Sequence, residues 1–257
     1  MTSRYPRWIR DEIEWPRPLC RGARGMKARR VQEWLTLQGY HLRVDGDFGP
    51  ATEWAVARFQ GDGGLQTSGT VDDETSSRLT QPMRQVLEPT VDLDQPIGGT
   101  IVDLAETHLA EHPREVGGQN RGPWVRLYMR GEEGPAWAWC AGFVSFLVEQ
   151  AAKLRGEPPA ITTSFSCDAI AINAGHRGAL VAGRNMSGRD VDRRPPPGSL
   201  FLTRRTATDW THIGIVVEAF DEVFVSIEGN TNDDGCREGF ETCRRIRGYR
   251  NKDFVVI

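Results

Sequence analysis

Residues 135–153 read PAWAWCAGFVSFLVEQAAK and join a loop to a strongly apolar run. Val144, Leu147, Val148 and Ala151 recur at the spacing of one buried helix face, so the run predicts a core helix. Cys140 stands where that helix begins. Unpaired backbone N–H groups at a helix start favour a thiolate, which makes Cys140 a candidate nucleophile. The alternative is a small, buried core residue, the usual role of an unpaired cysteine.

The bulk properties exclude several classes of protein. The chain has 257 residues and a globular composition, which predicts one or two domains. A formal net charge of −3 leaves no basic excess for phosphate contacts, so nucleic acid is not an expected partner. No apolar run approaches the roughly 18 residues of a transmembrane helix, so we expect no membrane insertion. The N-terminal stretch MTSRYPRWIRDEIEWPRPL lacks the apolar centre of a secretory signal, which predicts cytoplasmic synthesis without a signal peptide.

The cysteines and acidic residues do not indicate a metal or cofactor. Five cysteines at irregular spacing form no disulfide framework, although Cys236 and Cys243 could pair after export. There is no CxxC pair for zinc. The segment DGDFGP beginning at Asp45 resembles a calcium loop, but Val56 stands where that loop needs its last carboxylate. We therefore expect no metal and no cofactor.

Turn-forming residues divide the chain. An arm, residues 1–17, precedes residues 18–81, which carry the pattern of three short helices. Gly39 ends the first helix, Pro50 suits the first turn of the second, and Asp72 or Asp73 can cap the third. This part of the sequence predicts a small all-α domain.

The remainder predicts a linker and an α+β domain. Residues 82–99 contain three prolines and a Gly-Gly pair, which favours a semi-extended linker. In residues 100–257, helices come first, with Thr100 as a plausible first cap. The strand-like segments SLFLT, THIGIVVEA and EVFVSIEG follow. Helices followed by hairpin-like strands predict an α+β fold with an antiparallel sheet.

A nucleophilic cysteine needs a base, and His212 opens one of these strands. A three-residue hairpin loop at residues 219–221 would place His212 directly opposite Glu228, with Cβ atoms about 4.5–5.5 Å apart. Glu228 could then hold one imidazole nitrogen while the other serves Cys140. Asn230 is a second candidate orienter or an oxyanion donor, beside the backbone N–H of Cys140.

One rival nucleophile is present. Cys167 lies in SFSCDAIAINAGH, nine residues before His176. Helical spacing puts these two side chains on roughly opposite sides of a short helix. We interpret Cys167 as a structural or substrate-cleft residue.

The segments WCAGFVSFLVEQA, PPGSLFL, HIGIVVE and IEGNTN resemble the successive motifs of the CHAP family of cysteine, histidine-dependent amidohydrolases/peptidases. The resemblance extends from about residue 100 to the end and implies a papain-like fold. It implies Cys140 as nucleophile, His212 as general base and Glu228 as orienter, with Asn230 in support. Ser199 departs from the acidic residue that many members have there. Members cleave peptidoglycan at the N-acetylmuramoyl–L-alanine amide or within the stem or cross-bridge peptide.

Residues 18–81 resemble a second family, the three-helix peptidoglycan-binding domain, most specifically in VDGDFGPAT and AVARFQ. Together the two resemblances imply a peptidoglycan hydrolase, an amidase or an endopeptidase, and we expect it to be a monomer. It would act on the bacterial cell wall, in the periplasm or outside the cell, after release or non-classical export. The alternatives are a non-catalytic wall-binding protein and a papain-like acyl-transfer enzyme or toxin effector with another target.

Overall fold

The computed structural model describes residues 4–15, 18–186, 193–232 and 239–257. Cys236, which could pair with Cys243, lies outside them. None of the described helices is long and apolar enough to cross a bilayer. Within these residues the elements are α1 (Arg7–Ile13), α2 (Met26–Leu37), α3 (Pro50–Asp62), α4 (Asp73–Leu79), α5 (Gln81–Leu87), α6 (Ile97–Ala110), α7 (Pro123–Tyr128), α8 (Cys140–Arg155), α9 (Cys167–His176), β1 (Leu180–Ala182), β2 (Leu200–Thr206), β3 (Asp209–Ala219), β4 (Val223–Thr231), β5 (Glu241–Gly248) and β6 (Lys252–Val255).

The element order confirms the predicted α+β class. The six described strands form one sheet in the order β1-β6-β2-β3-β4-β5, and every pair is antiparallel. By contacts the chain divides into two compact units. The first unit comprises Met1–Glu88 and Arg114–Trp137, and the second comprises Pro89–Pro113 and Ala138–Ile257.

The three predicted short helices are α2, α3 and α4. Gly39, with φ +93°, follows the end of α2, and Pro50 occupies the first turn of α3. The Asp72 carboxylate caps α4 by accepting the N–H of Thr75 at 2.8 Å. Local capping chemistry therefore sets these boundaries, as the sequence predicts.

Two buried glutamines hold the turns of this unit in the same way. The Gln32 carbonyl oxygen accepts the N–H groups of Asp45 and Gly46, and its amide donates to Asp47 and Thr52. Gln60 repeats the pattern in the next helix–turn–helix step, with the equivalent bonds to Ser68, Gly69, Thr70 and Thr75. The DGDFGP turn is thus built around a buried amide side chain.

The predicted linker is partly helical. Residues 81–87 form α5, with Met83 and Val86 fully buried. Pro82 belongs to the first turn of this helix, where the missing N–H costs nothing. The extended connector is shorter and lies between Glu88 and Pro96.

The segment Arg114–Trp137, placed by the sequence in the second domain, packs within the first unit. Its anchor is Arg126, which is buried and donates to Glu12 at 2.8 and 2.9 Å and to Glu133 at 2.7 Å. A second buried carboxylate, Glu33, also accepts from Arg126. A buried guanidinium needs such partners, and they fix the segment where the carboxylates are.

In the second unit, α8 packs against α6, β3 and β4, and α9 packs against β3. The first helix, α6, begins at Ile97 and not at the predicted cap Thr100, which is buried within the first turns. Pro96 ends the connector and is the N-cap, so the helix starts four residues earlier than expected. A separate apolar cluster between sheet and loops is formed by Met186, Phe201, Val216, Phe224, Tyr249 and Phe254.

Candidate active site

Cys140 is the first residue of α8, as the sequence predicts. The four predicted core positions of this helix are fully buried, and Gly156 ends it in the left-handed conformation. Cys140 itself is 6% exposed, and the preceding Trp139 is entirely buried. Trp139 is therefore a core residue, and the apolar face of α8 fixes where the thiol lies.

The predicted hairpin register is wrong. The structure pairs Ile215 with Ile227 and then shifts before pairing Glu218 with Val225, whereas Glu218 was expected opposite Glu222. Continuing the observed ladder places Gly214, not His212, opposite Glu228. The bulge between the paired positions adds a residue that the sequence pattern does not reveal.

His212 and Glu228 nevertheless meet. The error is two residues, so both side chains stay on the same face and become diagonal neighbours. The ring atom Nε2 of His212 lies 2.8 Å from a carboxylate oxygen of Glu228. Gly214 leaves room for this contact, because a Cβ there would lie 2.8 Å from Cγ of Glu228. The expected pair therefore forms through a different register.

The Glu228 carboxylate is fully buried and satisfied at both oxygens. Ser226 donates to Oε1 at 2.6 Å, and Arg247 donates to Oε1 at 2.8 Å and to Oε2 at 2.6 Å. Burial raises the pKa of Glu228, but Arg247 and His212 outweigh it and lower that pKa to about 2. Glu228 is therefore a carboxylate at neutral pH and accepts hydrogen bonds only.

The negative charge on Glu228 determines which ring nitrogen of His212 carries the hydrogen. Since Glu228 only accepts, Nε2 of His212 carries a hydrogen, and Nδ1 is the atom free to act as a base. Nδ1 is buried and has no hydrogen-bond partner among the described residues. The Cys140 thiol is near enough to His212 to raise the pKa of its ring. Carboxylate, imidazole and thiol therefore lie near one another.

The pKa values of the two reactive groups move in opposite directions. A hydrogen bond from Cys167 holds the pKa of Cys140 well below its ordinary value, against burial and together with the charge and hydrogen bond of His212. Burial lowers the pKa of His212, but its interactions with Cys140 and Glu228 raise it to about 9. These opposite shifts favour a thiolate beside an imidazolium.

Asn230 lies near the end of β4 and contacts backbone at both ends of its amide. Its side-chain oxygen accepts the N–H of Trp139 at 2.8 Å, and its amide donates to the Gly239 carbonyl at 2.6 Å. The side chain therefore holds the residue that precedes Cys140. Its role as an orienter or an oxyanion donor stays a prediction.

Cys167 and His176 do not form a second pair. They are the first and last residues of α9, and His176 is exposed. Cys167 instead reaches the site, with its sulfur 3.9 Å from that of Cys140. The Ser166 side chain caps α9 by accepting the N–H of Ala169, so Cys167 also stands at a helix start.

Sequence reasoning missed Arg247, Ser226 and the position of Cys167. Arg247 lies on β5, an edge strand whose alternate positions are exposed, so it lacks an apolar pattern. Ser226 was visible two residues before Glu228, on the same strand face, and that spacing was the available signal. In the described part of the chain, no three His, Cys, Asp or Glu side chains lie close enough together to hold a metal ion.

The comparisons with known proteins concern the N-terminal part of the chain. Residues 24–79 match the model of the family described as "Putative peptidoglycan binding domain". The chain is 36% identical over 72 residues to the zinc D-Ala-D-Ala carboxypeptidase of Streptomyces albus G. That match covers 26% of this chain and 28% of that protein.

Two solved structures are also similar. The crystal structure of the SleB N-terminal domain is 34% identical, with a TM-score of 0.26, over 26% of this chain and 93% of that one. The fused Zn-dependent amidase/peptidase/peptidoglycan-binding domain-containing protein from Clostridium acetobutylicum ATCC 824 is 34% identical, with a TM-score of 0.25, over 30% of this chain and 32% of that one. The family match over residues 24–79 shows that the chain carries an N-terminal peptidoglycan-binding domain.

Proposed function

We propose that this protein is a peptidoglycan hydrolase that cleaves an amide bond of the wall with Cys140, His212 and Glu228. The observation that supports the proposal is the 2.8 Å contact between Glu228 and His212, together with the electrostatic interaction of that ring with the Cys140 thiol. Covalent amide hydrolysis requires a nucleophile, a base and an orienting group in this order. The CHAP resemblance implies the same roles, and we propose a papain-like fold for the catalytic part.

Each group has a defined step. The Cys140 thiolate attacks the amide carbonyl, and the oxygen that becomes negative is met by the N–H of Cys140, which has no acceptor within its own helix. The His212 imidazolium gives its Nδ1 proton to the leaving amine. The neutral ring then takes a proton from the water that hydrolyses the thioester and returns it to the departing thiol. Glu228 keeps the ring oriented throughout.

Three residues support these steps without touching the substrate. Arg247 and Ser226 hold Glu228 ionised and in place. Asn230 holds Trp139 and thereby the start of α8. We propose all three as positioning residues.

The N-terminal domain supports peptidoglycan as the substrate. A domain that binds an insoluble polymer raises the local concentration of any catalytic site on the same chain. By their names, the carboxypeptidase and the amidase/peptidase are hydrolases. We propose that this chain, which resembles them in its binding domain, is a hydrolase as well. We propose cleavage at the muramoyl–L-alanine amide or within the stem or cross-bridge peptide.

Digestion of purified sacculi tests the proposal. Wild-type protein should solubilise the walls, and Cys140→Ala should sediment with them without releasing fragments. Cys20→Ala is the matched control, since Cys20 is exposed and lies in the first unit. Mass analysis identifies the bond: new L-alanine amino termini mean an amidase, and cut stem peptides mean an endopeptidase.

Three results would contradict the proposal. Wall binding with no fragment release by the wild type, on walls of several chemotypes, would make the protein a wall-binding protein only. Full lysis by Cys140→Ala would remove the assigned nucleophile. Activity on a different amide or ester, with walls left intact, would favour a papain-like acyl-transfer enzyme or effector.

A further inference from the structure

Two cysteines converge on the candidate active site from different helices. Cys140 begins α8 and Cys167 begins α9, and their sulfur atoms are 3.9 Å apart. The approach is fixed by the fold, because α9 packs against β3 and the Asp168 carboxylate accepts the N–H of Trp210 at 2.6 Å. Trp210 lies two residues before His212 on that strand. The second thiol is therefore held beside the nucleophile by the same strand that carries the base.

The Cys140 sulfur is placed where a thiolate is stabilised. The backbone N–H of Ala141 and the positive charge of His212 both lower the pKa of Cys140, as does the neighbouring Cys167 thiol. Low-pKa thiolates next to a second thiol are the sites where peroxides oxidise proteins selectively. Each sulfur is more than nine-tenths buried, which admits a small oxidant more readily than a large one.

We propose that Cys140 and Cys167 form an oxidative modification site, at which a hydroperoxide converts the two thiols into a disulfide. In the first step the Cys140 sulfur attacks the peroxide. An S–O bond forms, the O–O bond breaks, and the released alkoxide or hydroxide takes a proton. In the second step the Cys167 sulfur attacks the sulfenic acid, the S–S bond forms, and water leaves with the thiol proton. The two thiols lose two electrons and the peroxide gains them.

The geometry makes Cys167 the resolving thiol. Bond formation needs the sulfurs to approach from 3.9 Å to about 2.05 Å, a movement that side-chain rotation at the two helix starts can supply. The disulfide removes the nucleophile but protects it from irreversible oxidation to the sulfinic or sulfonic acid. This inference rests on the proposed role of Cys140 only for its effect on activity, since the disulfide itself forms independently of any substrate.

Peptide mapping after hydrogen peroxide treatment of the full chain tests the proposal. Trypsin separates the two cysteines into the peptides 131–153 and 156–177. We expect these peptides to be joined after oxidation, with a mass loss of about 2 Da that a thiol reductant reverses. Lytic activity should fall in proportion to the joined fraction and return on reduction.

Cys167→Ala and the isosteric Cys167→Ser should yield no joined peptide. In both variants Cys140 should pass to the sulfinic acid, and reductant should not restore activity. Thermal unfolding of the two variants checks that they fold. The proposal is overturned if wild-type Cys140 reaches the sulfinic acid as readily as in the variants, or if Cys20 reacts while both site thiols stay reduced. A protein that forms the disulfide but never digests walls would overturn the hydrolase proposal alone.

Discussion

Two histidines of the second unit are both buried and behave as opposites. His108 on α6 packs near Phe143 and Phe146, with ring centroids 6.2 and 5.7 Å away, and forms a hydrogen bond with the Gln150 side chain at 3.3 Å. Burial lowers the pKa of His108 to about 3. His212 is also buried, yet its pKa rises to about 9.

The difference lies in what each ring touches. Burial disfavours the charged ring in both places, but a carboxylate and a thiolate overcome it at His212, and a neutral amide does not at His108. His108 is a neutral packing residue, and His212 is a charged member of a chain of titratable groups. A buried histidine is therefore a functional candidate only when its partners are ionised.

Replacing each of these histidines with glutamine should give the largest difference in activity between the two sites. His212→Gln removes the base and should lower wall digestion by roughly 10³-fold or more, since catalysis loses its proton carrier. His108→Gln should keep the activity per folded molecule and lose roughly 1–3 kcal/mol of stability from imperfect packing. Digestion rates and thermal unfolding, measured together, check both expectations. Equal losses of activity in the two variants would contradict the assignment of a catalytic role to one histidine and a packing role to the other.

The carboxylate partner should have the next largest effect. Glu228→Gln keeps a side chain of the same shape but removes the charge that stabilises the imidazolium, so we expect roughly a 10²-fold loss of kcat. Glu218→Gln, at an exposed position on β3, is the matched control and should be silent. A Glu228→Gln enzyme with normal kcat would show that the imidazole needs no charged partner.

Arg247 should matter less, because it acts through Glu228. Arg247→Lys keeps the positive charge but cannot reproduce the two-point contact, and we expect roughly a tenfold fall in kcat with KM unchanged. Arg244→Lys, on the same strand and paired with the exposed Glu106, is the control. A change confined to KM would indicate that Arg247 contacts the substrate instead of holding the carboxylate.

The smallest predicted effects concern stability and pH. The lowered pKa of His108 means that its contribution is present above about pH 6.5 and is lost as the pH falls toward 3. His212 has a raised pKa, so its contribution is present below about pH 6.5 and is lost as the pH rises through 9. Thermal unfolding from pH 4 to 10 should therefore show the His108→Gln defect shrinking in acid and the His212→Gln defect shrinking in alkali. Defects that follow the same pH trend would contradict the two assignments.

The sequence predicts those elements that are stabilised by local capping contacts or by the burial of one apolar face. The helix at Cys140 follows from its apolar spacing, and the turns at Pro50 and Asp72 follow from capping chemistry. The hairpin register does not follow, because the bulge near Val217 has no sequence signal. The His212–Glu228 pair is still predictable, since a two-residue error preserves the strand face.

Other features depend on tertiary partners that are remote in sequence. Arg126 binds carboxylates that lie about a hundred residues earlier, and this places its segment in the first unit. Arg247 reaches Glu228 from a polar edge strand, and Cys167 reaches Cys140 through the packing of α9 on β3. Charge pairs and close sulfur contacts of this kind carry no periodicity, so a single sequence does not reveal them.

The most direct test of the central arrangement is the pH dependence of Cys140 alkylation by iodoacetamide, followed by peptide mapping. With a thiolate–imidazolium pair, the midpoint of Cys140 alkylation should lie well below that of a free thiol such as N-acetylcysteine, which reacts with a midpoint near its ordinary pKa of about 8.5. His212→Gln should move the Cys140 midpoint upward. A wild-type midpoint that coincides with that of the free thiol, unaffected by His212→Gln, would contradict the account.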